Sequence, residues 1–222
     1  LSPDQTAFQD AVRRFAEKEL KAGARDRAHA KEYPWDVAKK MAAQGLLGIT
    51  VKEADGGQGG TLMDAVIAIE AVAASCPRSA DVVQAGNFGA IRVLAEYGTP
   101  DQKKRYLSRI LSGDAVTCVG MTEPDAGSAV TDLTTTATPD GDGWRINGVK
   151  TWCTFAGRAD TLMLLARTDP DRSKGHRGLS VFVVEKPPAS GHHFAFEDGQ
   201  GGKMEGRAID TDRKSTRLNS SH

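Results

Sequence analysis

At 222 residues the chain is long enough for one large or two modest domains with a buried core. A composition of 39% hydrophobic and 26% charged residues is globular, which excludes a disordered or membrane-embedded chain. Basic and acidic side chains number 29 each, so the formal net charge is zero and no basic field argues for nucleic acid.

The first half reads as helices. Ser2-Pro3-Asp4-Gln5 combines a capping residue, a proline at the first helical position and a glutamine in the reciprocal place. The helix it opens buries Phe8, Val12, Phe15, Ala16 and Leu20, and stops near Gly23. After a short charged segment, Pro34-Trp35 starts a helix running through Met41 to Gln44, ended by Gly45. The glycines 56, 57, 59 and 60 have neither the GxGxxG spacing after a strand nor the Gly-Lys-Ser/Thr of a phosphate loop. They are expected to form a flexible connector between helices. Thr61 caps the next helix, with Asp64 in its first turn and Leu62, Val66, Ile69 and Ala73 at helical spacing, and Pro77 ends it. A further helix is predicted from about Ser79 to Tyr97. Thr99-Pro100-Asp101-Gln102 is a second capping box, opening a helix that carries Tyr106, Leu107, Ile110 and Leu111.

At Gly113-Asp114 the hydrophobic period changes from 3.6 to 2, so residues 1–113 are expected to be one helical domain and 114–211 a domain of strands. Strands are predicted at about 115–121, 133–138, 144–146, 149–154, 161–168 and 179–185. The first breaks at Thr122-Glu123-Pro124 into Ala126-Gly127-Ser128, a loop whose backbone can approach a ligand closely. Asp140-Gly141-Asp142-Gly143 reads as a turn, and Asn147-Gly148 as a type I′ hairpin turn joining the third and fourth strands. On such a strand Trp152 and Thr154 share a face, an aromatic plane beside a hydroxyl. Taken alone, that pair is ordinary sheet packing. Residues 169–177 form a polar loop expected to be mobile. Pro187-Pro188 and Gly191 suggest an edge or exit segment, and His176, His192 and His193 lack ligand-spaced partners, so they read as solvated rather than metal-binding. Cys76, Cys118 and Cys153 are odd in number and widely spaced, as for reduced thiols of a cytoplasmic protein. No apolar stretch approaches the roughly 20 residues of a membrane span, and no charged-then-apolar leader opens the chain. With Leu1 in place of an initiating Met, the native start is expected upstream. From about Asp212 the tail has no apolar period and resembles adapter read-through, so residues 212–222 are expected to be non-native.

Four segments in order carry more than spacing: MTEPDAGS at 121–128, INGVKTWCT at 146–154, LMLLART at 162–168 and GLSVFVVEKP at 178–187. They resemble the middle β-domain of the acyl-CoA dehydrogenase family, whose usual signature is TEPxAGSD followed by W-[IV]-[TS]. The resemblance extends over roughly residues 2 to 210. It implies an α+β chain: an all-α N-terminal helical domain followed by an antiparallel β-barrel-like domain, a truncated form of that fold. It implies FAD as cofactor and an acyl-CoA thioester as substrate, oxidised between its α- and β-carbons while a carboxylate removes the α-proton. Electron-transfer flavoprotein is the implied oxidant, and the full-length protein is implied to be a homo-oligomer.

Carried over residue by residue, the resemblance sets Trp152 against a flavin face and the Thr154 hydroxyl near the hydride-accepting nitrogen. Thr122, with backbone groups of Val119 to Met121, would bond the pyrimidine end, where donors stabilise negative charge on the ring. Gly127 and Ser128 would meet the pyrophosphate, with Ser128 also a candidate for the thioester substrate, and Cys153 completes the cofactor set. Glu123 is implied to be a structural residue of the turn, because the family's catalytic glutamate lies in a C-terminal helical bundle, beyond Thr211. The chain as given is therefore expected to be inactive. It departs from the signature with Ala129 in place of aspartate, Cys153 in place of isoleucine or valine, and Phe155 where asparagine or serine is frequent, while Asp125 fills the variable position. Two other readings share the scaffold: an acyl-CoA oxidase or flavin monooxygenase, and a non-catalytic binding or oligomerisation protein. The joint presence of Trp152, Thr154, Thr122 and Ser128 disfavours the last.

Overall fold

The structure is a computed structural model, and it describes residues 1–191 and 193–209. The expected non-native tail lies outside the described residues. Helix α1 (Pro3–Glu19) starts as the sequence demands: the Ser2 hydroxyl accepts from Gln5 N, and the Gln5 side chain accepts from Ser2 N. Its buried side is Val12 and Ala16, continued by Leu20 at the cap. Next come α2 (Ala24–His29), α3 (Trp35–Ala43) and α4 (Leu62–Ala73), the last opened by a Thr61–Asp64 capping box. The glycine-rich connector before α4 is more ordered than expected. Gly57 N, Gln58 N, Gly59 N and Gly60 N all bond back to carbonyls of 48–52, folding the loop onto itself.

The predicted helix over 79–97 is two helices, α5 (Pro77–Ala85) and α6 (Ala90–Tyr97). Gly86 caps the first, and Gly89, at φ +67°, takes a left-handed turn open to few other residues. Asn87 is fully buried in the break, its amide donating to Leu46 O and Val83 O at 2.8 Å each. The last helix, α7 (Pro100–Leu111), has the Thr99–Gln102 box, and it fastens the helices to the sheet. Arg109 pairs with Asp160 at 2.6 Å, while Arg105 and the Tyr106 hydroxyl both reach Glu185 at 2.7 Å.

Beyond α7 lie β1 (Thr117–Gly120), β2 (Thr136–Asp140), β3 (Gly143–Asn147), β4 (Thr161–Arg167) and β5 (Leu179–Glu185). The apolar run of β4 sits at the centre of one sheet, antiparallel to β5 on one edge and parallel to β1 on the other. At its end β4 also meets β2, again in parallel, through Thr136 and Arg167. This corrects the expectation of an antiparallel barrel: the sheet is partly parallel and not closed. A separate two-stranded ribbon, β6 (His193–Glu197) with β7 (Lys203–Arg207), was not among the predicted strands.

The hairpin is also displaced from its predicted place. β3 pairs with β2 across the Asp140–Gly143 turn, whereas residues 148–153 form no strand and Asn147-Gly148 is no type I′ turn. Gly148 serves close approach instead, because a Cβ there would lie 2.2 Å from Thr135 Oγ1. Helices and sheet share one core, in which Val37, Met41 and Val83 from the helices pack in the same cluster as Cys118, Leu162 and Leu164 from the strands. Among the described residues no helix is long and apolar enough to cross a membrane.

Candidate functional site

Where β1 ends, the sheet faces the break between α5 and α6, and the two leave a cleft of about 320 Å³ between them. The helical side is built by Gln84, Ala85, Phe88 and Gly89; a Cβ on Gly89 would sit 3.4 Å from Val119, so the break lies directly against β1. The opposite side comes from Val119, Met121 and Thr122 at the end of β1, and from Trp152, Thr154 and Phe155. Residues about thirty positions apart in the sequence thus form one wall.

Trp152 and Thr154 reach this wall by a route other than a shared strand face. They lie in a loop in which Trp152 (φ +57°) and Phe155 (φ +65°) are left-handed, a conformation bulky residues seldom adopt. Phe155 is pinned edge-on by Tyr33 with ring centroids 5.0 Å apart, and Arg78 lies 5.6 Å from its ring centre. Trp152 remains 37% exposed, and Met121 and Thr154 are also exposed, so an aromatic plane and a hydroxyl are available to a ligand.

Three of the expected residues are not brought to the cleft. Gly127 and Ser128 stand on the exposed limb of the turn, with nothing within 4 Å of a Cβ at Gly127. Cys153 packs into the core from between the two wall residues and does not line the cleft. Its thiol is held below its ordinary range by the hydrogen bond with Cys118, and the Cys118 thiol is correspondingly pushed up, by the same bond and by burial. Asp125, at the variable position of the signature, is exposed.

No carboxylate, imidazole or amine lines the cleft among the described residues. Glu123, adjacent to Thr122 in sequence, is buried in the turn behind the wall, where its carboxylate is fully engaged. Burial raises that carboxyl, but hydrogen bonds from Thr135, Lys150 and Thr134 outweigh burial and hold it far below the usual carboxylate range. A carboxylate whose oxygens are already taken by four donors is a strut and a poor general base.

Residues 2–114 match the family model for the acyl-CoA dehydrogenase N-terminal domain, and residues 118–203 match that for the acyl-CoA dehydrogenase middle domain. The chain belongs to the acyl-CoA dehydrogenase family. Among curated members of this family, the short-chain-specific acyl-CoA dehydrogenase of Clostridium acetobutylicum is 34% identical over 186 residues, 84% of this chain and 48% of that protein. A crystal structure of acyl-CoA dehydrogenase from Geobacillus kaustophilus superposes with TM-score 0.76 at 30% identity, over 88% of this chain and 51% of that one. A glutaryl-CoA dehydrogenase from Mycobacterium smegmatis, solved in complex with FADH2, does so with TM-score 0.76 at 26% identity, over 94% and 55%. The chain spans about half the length of the curated relative it matches.

The helical half of the cleft was missing from the sequence reading. Its signal was present as Gly86 and Gly89, three residues apart inside an otherwise helical pattern, which marks a break.

Proposed function

We propose that this chain forms the helical and sheet walls of the flavin site of an FAD-dependent acyl-CoA dehydrogenase, divided near Gly113 into a helical domain (1–113) and a strand domain (114–211). The observation that carries the reading is the convergence of Trp152, Thr154, Thr122, Met121 and Val119 on one cleft. The set fits the cofactor: an exposed indole plane suits a flat ring, and neutral hydroxyls polarise that ring without placing a full charge beside it. Bound there, FAD would accept hydride from the β-carbon of an acyl-CoA thioester. Trp152 would cover one ring face and exclude water from it. The Thr154 and Thr122 hydroxyls, with backbone groups at 119–121, would donate hydrogen bonds to the ring edge. Gln84, Ala85 and Phe88, across the cleft, would bound the space left for the acyl chain. Ser128 and Gly127, on the open limb, remain candidates for the pyrophosphate and the CoA side. Electron-transfer flavoprotein as oxidant and homo-oligomerisation belong to the same proposal, which the family membership supports.

The test is a visible spectrum of the full-length protein after desalting. A flavin band at near-equimolar occupancy is expected, lowered by Trp152→Ala and Thr154→Val. A colourless protein that FAD does not reconstitute would overturn the assignment.

A further inference from the structure

The aromatic wall of the cleft is an irregular loop with two bulky left-handed residues, so something other than a strand ladder must hold it in place. Phe155 is held by Tyr33, as described. At the other end Thr151 N donates to Thr122 O at 2.9 Å, which joins the loop to the end of β1 by one backbone bond. Beside it runs a side-chain tie. Lys150 Nζ donates to Glu123 Oε1 at 2.9 Å and to Met121 O at 3.1 Å. Glu123 in turn accepts from Thr134 N, the Thr134 hydroxyl and Thr135 N at 2.6 to 2.9 Å. The Lys150 and Glu123 side chains are only 7% and 3% exposed.

A buried ion pair is a poor device for stability, because the cost of removing both charges from water offsets most of their attraction; well-packed apolar residues serve as well or better. It is a good device for geometry, because its hydrogen bonds fix direction as well as distance. This pair joins the two segments that form the strand side of the cleft: Met121 and Glu123 flank Thr122, and Lys150 is two residues from Trp152. We infer that Lys150 is a positioning residue. Acting through Glu123 and the Met121 carbonyl, it sets the Thr122 limb and the Trp152 limb at the separation that a bound ring requires. What the cleft holds rests on the flavin reading above; the latch itself does not.

The experiment uses the full-length protein in a background where Trp152 is the sole tryptophan, and compares wild type with Lys150→Met and with the milder Thr134→Val, which removes one donor to Glu123. All measurements are made well below the melting temperatures, on protein whose circular dichroism matches wild type. Acrylamide should quench Trp152 more efficiently in Lys150→Met, and Kd for FAD should rise by about tenfold, the scale of one ligand hydrogen bond lost when the two limbs shift apart. Thr134→Val should move both readouts in the same direction by less. A folded Lys150→Met with wild-type quenching and wild-type Kd, altered only in Tm, would overturn the inference by reducing the pair to a fold contact. Should Lys150→Met not fold, Thr134→Val decides by the same two readouts. A parent protein that binds no FAD would refute the flavin reading, while the quenching comparison would still decide the latch.

Discussion

Thr154 is the residue whose contribution should grow during reaction. Its hydroxyl is exposed on the cleft wall beside Trp152, with no charged group lining the same space among the described residues. A neutral donor there gains strength as a bound ring becomes electron-rich, so it should favour the transition state over the bound substrate. In the full-length protein, Thr154→Val is expected to slow flavin reduction by about 2 to 4 kcal/mol of barrier, the scale for losing one preorganised donor. Substrate affinity should change little. Stopped-flow reduction at saturating acyl-CoA is the measurement; a rate equal to wild type would assign the role to another group. Trp152 is proposed to contribute differently, through area: its plane would exclude water from a bound ring whether or not reaction proceeds, so truncation should weaken cofactor retention first.

At the scale of elements, α7 has a function beyond its own packing. Its outer face carries Arg105, Tyr106 and Arg109 to Glu185 and Asp160 on the sheet, so its start determines how helices and strands meet. That start depends on Thr99, whose hydroxyl accepts from Gln102 N at 3.2 Å while the Gln102 side chain accepts from Thr99 N at 3.0 Å. Thr99→Ala should cost about 1 kcal/mol, as is usual for losing a capping side chain. Urea unfolding would register it as a lower midpoint with an unchanged m-value. A loss confined to α7 would instead lower the cooperativity. The break between α5 and α6 is an element-scale feature too, since a continuous helix through 86–89 would leave Phe88 and Gly89 no place on the cleft.

For the whole molecule, acid should be more damaging than its balanced charge suggests. Glu123 is held in the folded state far below its ordinary value of 4.5 by the donors around it. Its stabilisation is therefore complete above pH 4.5 and is lost as pH falls through that value toward the folded-state one. Melting temperatures of wild type and Glu123→Gln should differ most near neutrality and converge as pH drops below 4.5; a constant gap would show that the carboxylate is not the group responsible. A second expectation concerns activity. With no base lining the cleft among the described residues and Glu123 saturated behind it, the 222-residue chain expressed by itself should show no turnover with short, branched or medium-chain acyl-CoAs and an artificial electron acceptor. A positioned general base is worth roughly 10² to 10⁴ in rate. Turnover above a buffer blank would mean the reacting carboxylate lies within these residues.

What the sequence determined by itself was local. Capping boxes at Ser2, Thr61 and Thr99 are contacts between residues three apart, and all three form as the spacing dictates. The apolar run of β4 was likewise legible, because a strand covered on both faces is buried almost continuously and reads as an unbroken apolar run. The motif around Thr122 and Trp152 named residues that do meet at one cleft. Only the tertiary structure decided how they meet. Asn147-Gly148 has the composition of a hairpin turn, yet Thr135 occupies the space a side chain would need at Gly148, and the chain leaves the sheet there. Cys153 shared the motif but not the surface, since the backbone turns left-handed at Trp152 and again at Phe155, while Gly127 and Ser128 follow the Glu123–Ala126 turn onto its exposed limb. The Lys150–Glu123 tie and the Phe88 side of the cleft join segments 27 and more residues apart, and such contacts leave no periodic trace in a single chain.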